Sequence, residues 1–202
     1  RDVLGSRGLG DVYKRQEYAS KSDTKQVSTF ESATKHYPIY ITKYKGEDIV
    51  LCQAPVGAAA ATQILDWLIG YGVREVISAG SCGALEKFPE STFLVPNKAL
   101  RDEGTSYHYA PPSRFVEISE KARKAIEETI LEHSMKYQEV ITWSTDGFFR
   151  ETKEKVAYRK SEGCAVVEME CSALAACADF RGATWGMILY TCLLYTSPSP
   201  RD

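Results

Sequence analysis

The sequence has no paired C-x-x-C spacing, no apolar run long enough to span a bilayer, no stretch laid out like a signal peptide and no excess of charge of either sign. Each absence removes a class of protein. Six Cys scattered through apolar segments fit buried thiols in a reducing compartment better than a disulfide framework or a metal site. A formal net charge of −2 leaves no electrostatic footprint for DNA, RNA or an anionic membrane. Without a spanning segment or a leader pattern, a cytoplasmic location is expected. What remains is ordinary globular material: 202 residues, 44% hydrophobic and 26% charged, enough for one domain with a sizeable core.

Both ends read as foreign to that domain. Back-translating Asp11 to Gln16 as GAT GTG TAT AAG AGA CAG and reading the opposite strand one base in gives TGT CTC TTA TAC ACA TCT. Those codons spell Cys192 to Ser197. The same exercise through Ser6 to Gly10 gives Pro198 to Asp202. Two ends that translate one DNA sequence in opposite orientations resemble a sequencing adapter of the transposon-end type. Residues 1–16 and 192–202 are therefore expected to be adapter-derived, and residues 17–191 to be a native domain cut at both ends.

Within that domain the most informative stretch is Cys164 to Phe180, CAVVEMECSALAACADF. Cys164 to Val167 is a short apolar run that suits a strand covered on both faces, and the small apolar residues from Cys171 favour a helix packed closely on a sheet. Between them stand Glu168, Met169 and Glu170. Carboxylates at the carboxyl end of a buried strand lie where open α/β sheets bind ligands, and acceptor-only groups there suit a polyhydroxyl ligand such as a ribose. A Glu that charges a helix N-terminus explains the pattern equally well.

The remaining segments alternate strand and helix. Ile39 to Tyr44 and Ile49 to Ala54 form a predicted hairpin, followed by a helix opened by small residues from Pro55 and closed at Gly70 or Gly72. That small-residue opening allows either close backbone approach or tight helix-on-sheet packing. A strand over Glu75 to Ala79 delivers Gly80-Ser81-Cys82-Gly83-Ala84, which reads as an anion-contacting loop or a plain turn and lacks the third glycine of a dinucleotide fingerprint. Thr92 to Leu100 is a predicted strand that runs into a polar, aromatic loop from Arg101 to Pro111. Ser119 caps an amphipathic helix to Met135, Gln138 to Thr142 is a strand, and Ala183 to Tyr190 is the last buried strand.

VEMECSAL resembles the ribose-binding V-E-M-E element of the purine nucleoside phosphorylase and uridine phosphorylase family, which maps the ribose-holding Glu to Glu170 and the Met beneath the sugar to Met169. GSCGA is similar to the family's R-V-G-S-C-G-A element and EGTSYHYAP to its D-G-A-S-L-H-F-A-P stretch, while STDGFF matches T-D-x-F-Y. The resemblance implies an α/β phosphorylase fold, a single domain with a mixed central sheet flanked by helices, usually assembled as a trimer of dimers. It implies phosphorolysis of a ribonucleoside, with Ser81 and Gly80 on phosphate, Phe148 and Glu168 on the base, and Ser106 and His108 in an active-site loop. No metal or organic cofactor is implied, only phosphate as co-substrate.

Three departures matter. The family's phosphate-binding Arg falls at Ser78, and a hydroxyl cannot grip phosphate with the paired charge-assisted bonds of a guanidinium. Nucleosidases of the same superfamily also lack that Arg and use water, so hydrolysis is the alternative expectation, with a non-catalytic nucleoside-binding protein behind it. The Gln-x-Arg that reads uracil has no match in Arg150 to Lys155, which leaves the base open. The purine branch's general-acid Asp falls near Leu193, and the family's first strand and Gly-Asp phosphate loop fall before Glu17, both within adapter-like sequence.

Overall fold

The computed structural model describes residues 23–194, and side chains through residue 191. Most of the two adapter-like stretches, and Glu17 to Ser22, lie outside the described residues.

A three-stranded antiparallel sheet comes first, with β1 (Lys25–Glu31), β2 (His36–Tyr44) and β3 (Glu47–Cys52) in that order. The predicted hairpin is β2–β3. Its two-residue turn, Lys45-Gly46, has φ of 50° and 89°, and Tyr44 pairs with Glu47. Two left-handed residues give the turn whose twist matches that of the flanking strands. β1 falls in a stretch too polar to signal a strand by composition.

Next come α1 (Ala58–Gly70), β4 (Glu75–Ala84), β5 (Thr92–Asp102), β6 (Phe115–Glu117), α2 (Glu120–Glu132), β7 (Lys136–Thr145), α3 (Lys153–Ser161), β8 (Cys164–Glu168), α4 (Cys171–Phe180) and β9 (Thr184–Leu194). A six-stranded sheet runs in the order β6-β5-β7-β8-β4-β9, and Leu94 of β5 also pairs with Leu189 of β9, so the sheet curls back on itself. β5, β7 and β8 are mutually parallel; β4 and β9 are parallel to each other and antiparallel to β8 and β5, respectively.

The amphipathic pattern of α1 buries Ala61, Leu65 and Ile69 against Cys171, Leu174, Ala175 and Ala178 of α4, over Leu94, Met187 and Leu189 of the sheet. Every residue from Cys171 to Ala178 is buried, so the small side chains of α4 serve to let two helices and a sheet close together. α2 lies on β9 even more closely. A Cβ on Gly186 would sit 2.8 Å from Ala122 Cβ and 3.0 Å from Ile126 Cδ1.

Two boundaries differ from expectation. β4 does not stop at Ala79: GSCGA is the second half of the strand, because its backbone continues to pair with β9, with a register shift opposite Cys82 and Gly83, and reaches β8. β9 does not stop at Tyr190 or at the expected domain end, Thr191. Leu193 pairs with Gly83 and Leu194 with Ala84, since Cys-Leu-Leu is a β-compatible run whatever its origin. Among the described residues no helix is long and apolar enough to cross a membrane.

Candidate active site

Register places the site. Arg101 of β5 lies opposite Ser144 of β7, and Ser144 opposite Glu168 of β8, so three parallel strands reach their carboxyl ends together. From that edge leave the loop after Asp102, the turn after Thr145 and the turn after Glu168. β4 joins them from the other direction, with Gly83 opposite Val167 and Ala84 opposite Val166. Its preceding residues, including Ser81, therefore run toward the Glu168–Glu170 turn. The crevice beyond the carboxyl ends of parallel strands is the standard ligand position of α/β sheets.

The two carboxylates of that turn have different environments. Glu168 Oε2 accepts from the backbone N–H groups of Glu170 at 2.6 Å and Cys171 at 2.7 Å, and Oε1 accepts from the hydroxyls of Ser144 at 2.5 Å and Thr142 at 3.2 Å. It is 3% exposed. Both oxygens are thus engaged in fixing the turn and the first N–H groups of α4, which is the work of a helix cap. These bonds give Glu168, expected from the resemblance to meet the base, a part in fixing the turn that carries Glu170.

Glu170 is the N-cap residue of α4, but its side chain accepts no capping hydrogen bond from it. Its Oε1 instead accepts from Gly57 N–H, 2.7 Å away, at the opening of α1. Gly57 has φ 94°, a conformation that favours glycine and aims its N–H at the carboxylate. The Glu170 carboxylate is therefore buried where two helix N-termini converge, and both dipoles favour negative charge there. Met169 is half-buried beside it.

Ser81 is fully buried on β4, and its hydroxyl has no hydrogen-bond partner among the described residues. Gly80, next to it, is buried as well. Ser78 accepts a hydrogen bond from Trp185 Nε1 at 3.0 Å, so an indole N–H meets the hydroxyl where the family carries a guanidinium.

The loop after β5 divides its predicted residues. Ser106 is fully buried: its N–H donates to Glu103 Oε2 at 2.9 Å and its hydroxyl accepts from Arg101 Nε at 2.8 Å. Both its N–H and its hydroxyl oxygen are thus engaged within the loop. His108 ends the short 3-10 turn Thr105–His108 and is exposed. Tyr109 donates to Asp66 Oδ2 at 2.9 Å; burial first, then that bond, pushes its phenol up to about 12. Arg181 holds the Asp66 carboxyl below the usual carboxylate range, against a smaller opposing effect of burial.

Phe148 stands on the second short 3-10 turn, Phe148–Arg150, edge-on to Phe149 with ring centroids 5.1 Å apart. It is 54% exposed, which removes the plain explanation of a core aromatic.

The structure also connects these loops through residues that local sequence did not single out. Gly104 N–H donates to Asp146 Oδ2 at 2.9 Å, joining the β5 loop to the Phe148 turn. The Ser172 hydroxyl donates to Glu103 Oε1 at 2.9 Å, joining the same loop to α4. Ser172 N–H donates to the Ser144 hydroxyl at 2.9 Å, and Ser144 passes on to Glu168. A buried polar chain thus runs from Ser106 through Glu103, Ser172 and Ser144 to the turn that carries Glu170.

The chain is similar in sequence and in fold to known proteins. The profile of the family described as Phosphorylase superfamily matches residues 9–193. A 5'-methylthioadenosine/S-adenosylhomocysteine nucleosidase of Buchnera aphidicola is 30% identical over 158 residues, 72% of this chain and 67% of that protein. A guanosine phosphorylase of Halorubrum lacusprofundi is 25% identical over 162 residues, 80% of this chain and 67% of that protein. The crystal structure of uridine phosphorylase from Vibrio fischeri superposes with a TM-score of 0.80 at 26% identity, covering 95% of this chain and 78% of that one. The curled mixed sheet with helices around it is the fold of nucleoside phosphorylases and related nucleosidases, and the chain belongs to the phosphorylase superfamily. Its class is that of enzymes acting on nucleosides.

Proposed function

We propose that the protein is a nucleoside phosphorylase, transferring the ribosyl group of uridine or a purine ribonucleoside to phosphate to give free base and ribose 1-phosphate. The observation that carries this reading is the buried Glu170 carboxylate, held by Gly57 N–H at the meeting of two helix N-termini. In the reaction the C1′–N bond breaks with its electron pair leaving on the base, the base takes a proton, and a phosphate oxygen bonds C1′. The sugar passes through an oxocarbenium-like state, so a pre-oriented carboxylate that holds the ribose hydroxyls acts where charge develops. Met169 packs beneath the sugar, Phe148 offers its open ring to the base, and Ser81 with Gly80 meets the anion. The subunits are proposed to assemble as a homo-oligomer, a trimer of dimers, in the cytoplasm.

Hydrolysis is the second reading. It is favoured by Ser78, which is bonded to Trp185 and brings no cation to the anion position, and by the similarity to a nucleosidase. The test is base release from uridine, inosine and adenosine with and without phosphate, on this chain and on the gene product with restored ends, with the sugar identified. Ribose 1-phosphate supports phosphorolysis. Free ribose formed regardless of phosphate supports hydrolysis, and no base release from either protein contradicts both.

A further inference from the structure

Arg101 is 2% exposed, yet among the described residues every acceptor its guanidinium is bonded to is neutral. Nε donates to the Ser106 hydroxyl at 2.8 Å, one terminal nitrogen to Pro111 O at 2.6 Å and the Ser113 hydroxyl at 2.8 Å, and the other to Ala110 O at 3.2 Å. The Tyr107 ring covers the guanidinium, 4.0 Å from its carbon to the ring centroid. A buried cation is costly unless its donors are satisfied, and this one is satisfied only while residues 106–113 wrap around it.

The carboxylate next along this hydrogen-bonded chain is Glu103, 5% exposed, on the other side of Ser106. Ser106 bridges the two: its hydroxyl accepts from Arg101 and its N–H donates to Glu103. Glu103 in turn takes the hydroxyl of Ser172 on α4. The loop is therefore wound on a cation at one side and latched to the helix that carries Glu170 at the other.

We propose that Arg101 is a positioning residue for the candidate site: its guanidinium sets the conformation of residues 105–113 and, through Ser106 and Glu103, docks that loop on the first turn of α4. This role rests on the nucleoside-cleaving reading only for its consequence on activity; the loop geometry stands apart from it. A lysine cannot replace the guanidinium, because an ammonium offers no planar fork to four acceptors in fixed directions. Misplacing a site loop by about 1 Å costs on the order of 100-fold in rate.

The experiment is amide hydrogen exchange on the full chain, wild type against Arg101→Ala and Arg101→Lys, with base release measured in parallel. The expected result is at least about tenfold faster exchange at Ser106, Tyr109 and Ala110 in both variants, with β7 protection unchanged. Where the wild type releases base, kcat/KM falls about 100-fold in both variants, and added guanidinium partly restores Arg101→Ala. Wild-type loop protection in Arg101→Ala overturns the proposal, as does a loosened loop with undiminished base release. If Arg101→Ala does not fold, Ser113→Ala, which removes one acceptor, carries the same test: faster loop exchange supports the role and unchanged exchange overturns it. A wild type that releases no base contradicts the functional reading, and the exchange result then decides the positioning role alone.

Discussion

Glu168 and Glu170 are two residues apart, of one type and both buried, yet the backbone gives them opposite work. Glu168 spends four hydrogen bonds on the turn; Glu170 turns away from its own helix to reach Gly57. Motif resemblance singled out Glu170, Met169 and Phe148 because their neighbours in sequence carry the pattern. It carried no sign of the bonds from Glu168 to Ser144 and Thr142, which lie in another strand. Glu103 and Ser172 were not legible for the same reason: the bond between them spans 69 positions, and no local signal says which distant hydroxyl a carboxylate will find. At this scale Phe148→Ala is expected to raise KM for nucleoside about tenfold through lost base stacking. Because the ring is exposed, the unfolding free energy stays within about 0.5 kcal/mol of wild type. Steady-state kinetics beside a denaturant titration checks both, and an unchanged KM removes Phe148 from the base subsite.

Elements with strong apolar periodicity were legible: α1, α2, β5, β7, β8 and α4 all form near their predicted positions. α3 was missed because its sequence, KEKVAYRKS, buries only Arg159 and so shows no apolar stripe. Its anchor is electrostatic. Lys155 and Arg159 converge on Asp102 at 2.9 and 3.2 Å, and Trp143 Nε1 donates to the same oxygen at 2.9 Å. Burial pushes the Asp102 carboxyl up, but Lys155, Arg159 and Trp143 together outweigh it and hold the group below its ordinary value. A depressed carboxylate contributes its full stabilisation above the unfolded value of about 3.9 and loses it as pH falls through the folded value. Acid unfolding should therefore be less pH-dependent in Asp102→Asn than in wild type below about pH 4, and parallel acid titrations of the two would contradict this coupling. At β9 the contact is steric. Gly186→Ala drives a methyl into Ala122 of α2 and is expected to cost about 1–3 kcal/mol, read as a lower denaturant midpoint; an unchanged midpoint means α2 shifts freely on the sheet.

For the whole molecule, the mixed sheet and its helices were legible from the alternation of elements and the order of the four motifs, whereas the curl that brings β9 back to β5 was not. It rests on the pairing of Leu94 with Leu189, residues far apart in sequence, while β4 pairs with both β9 and β8. An apolar cleft of about 700 Å³ lies away from the candidate site, between β3 and β4. Asp48 to Cys52 and Val73 to Ile77 line it as consecutive residues, so strand edges, and not alternating faces, bound it. Among the described residues β3 pairs only with β2, and β4 meets β8 only at Gly83 and Ala84. In the proposed function, Glu170 holds the ribose of a nucleoside undergoing C1′–N cleavage. The most direct measurement of that role is kcat/KM for base release by Glu170→Gln, a near-isosteric change that keeps an acceptor for Gly57 N–H. A fall of about 100-fold or more with the fold intact is expected, and a rate equal to wild type would contradict that role for Glu170.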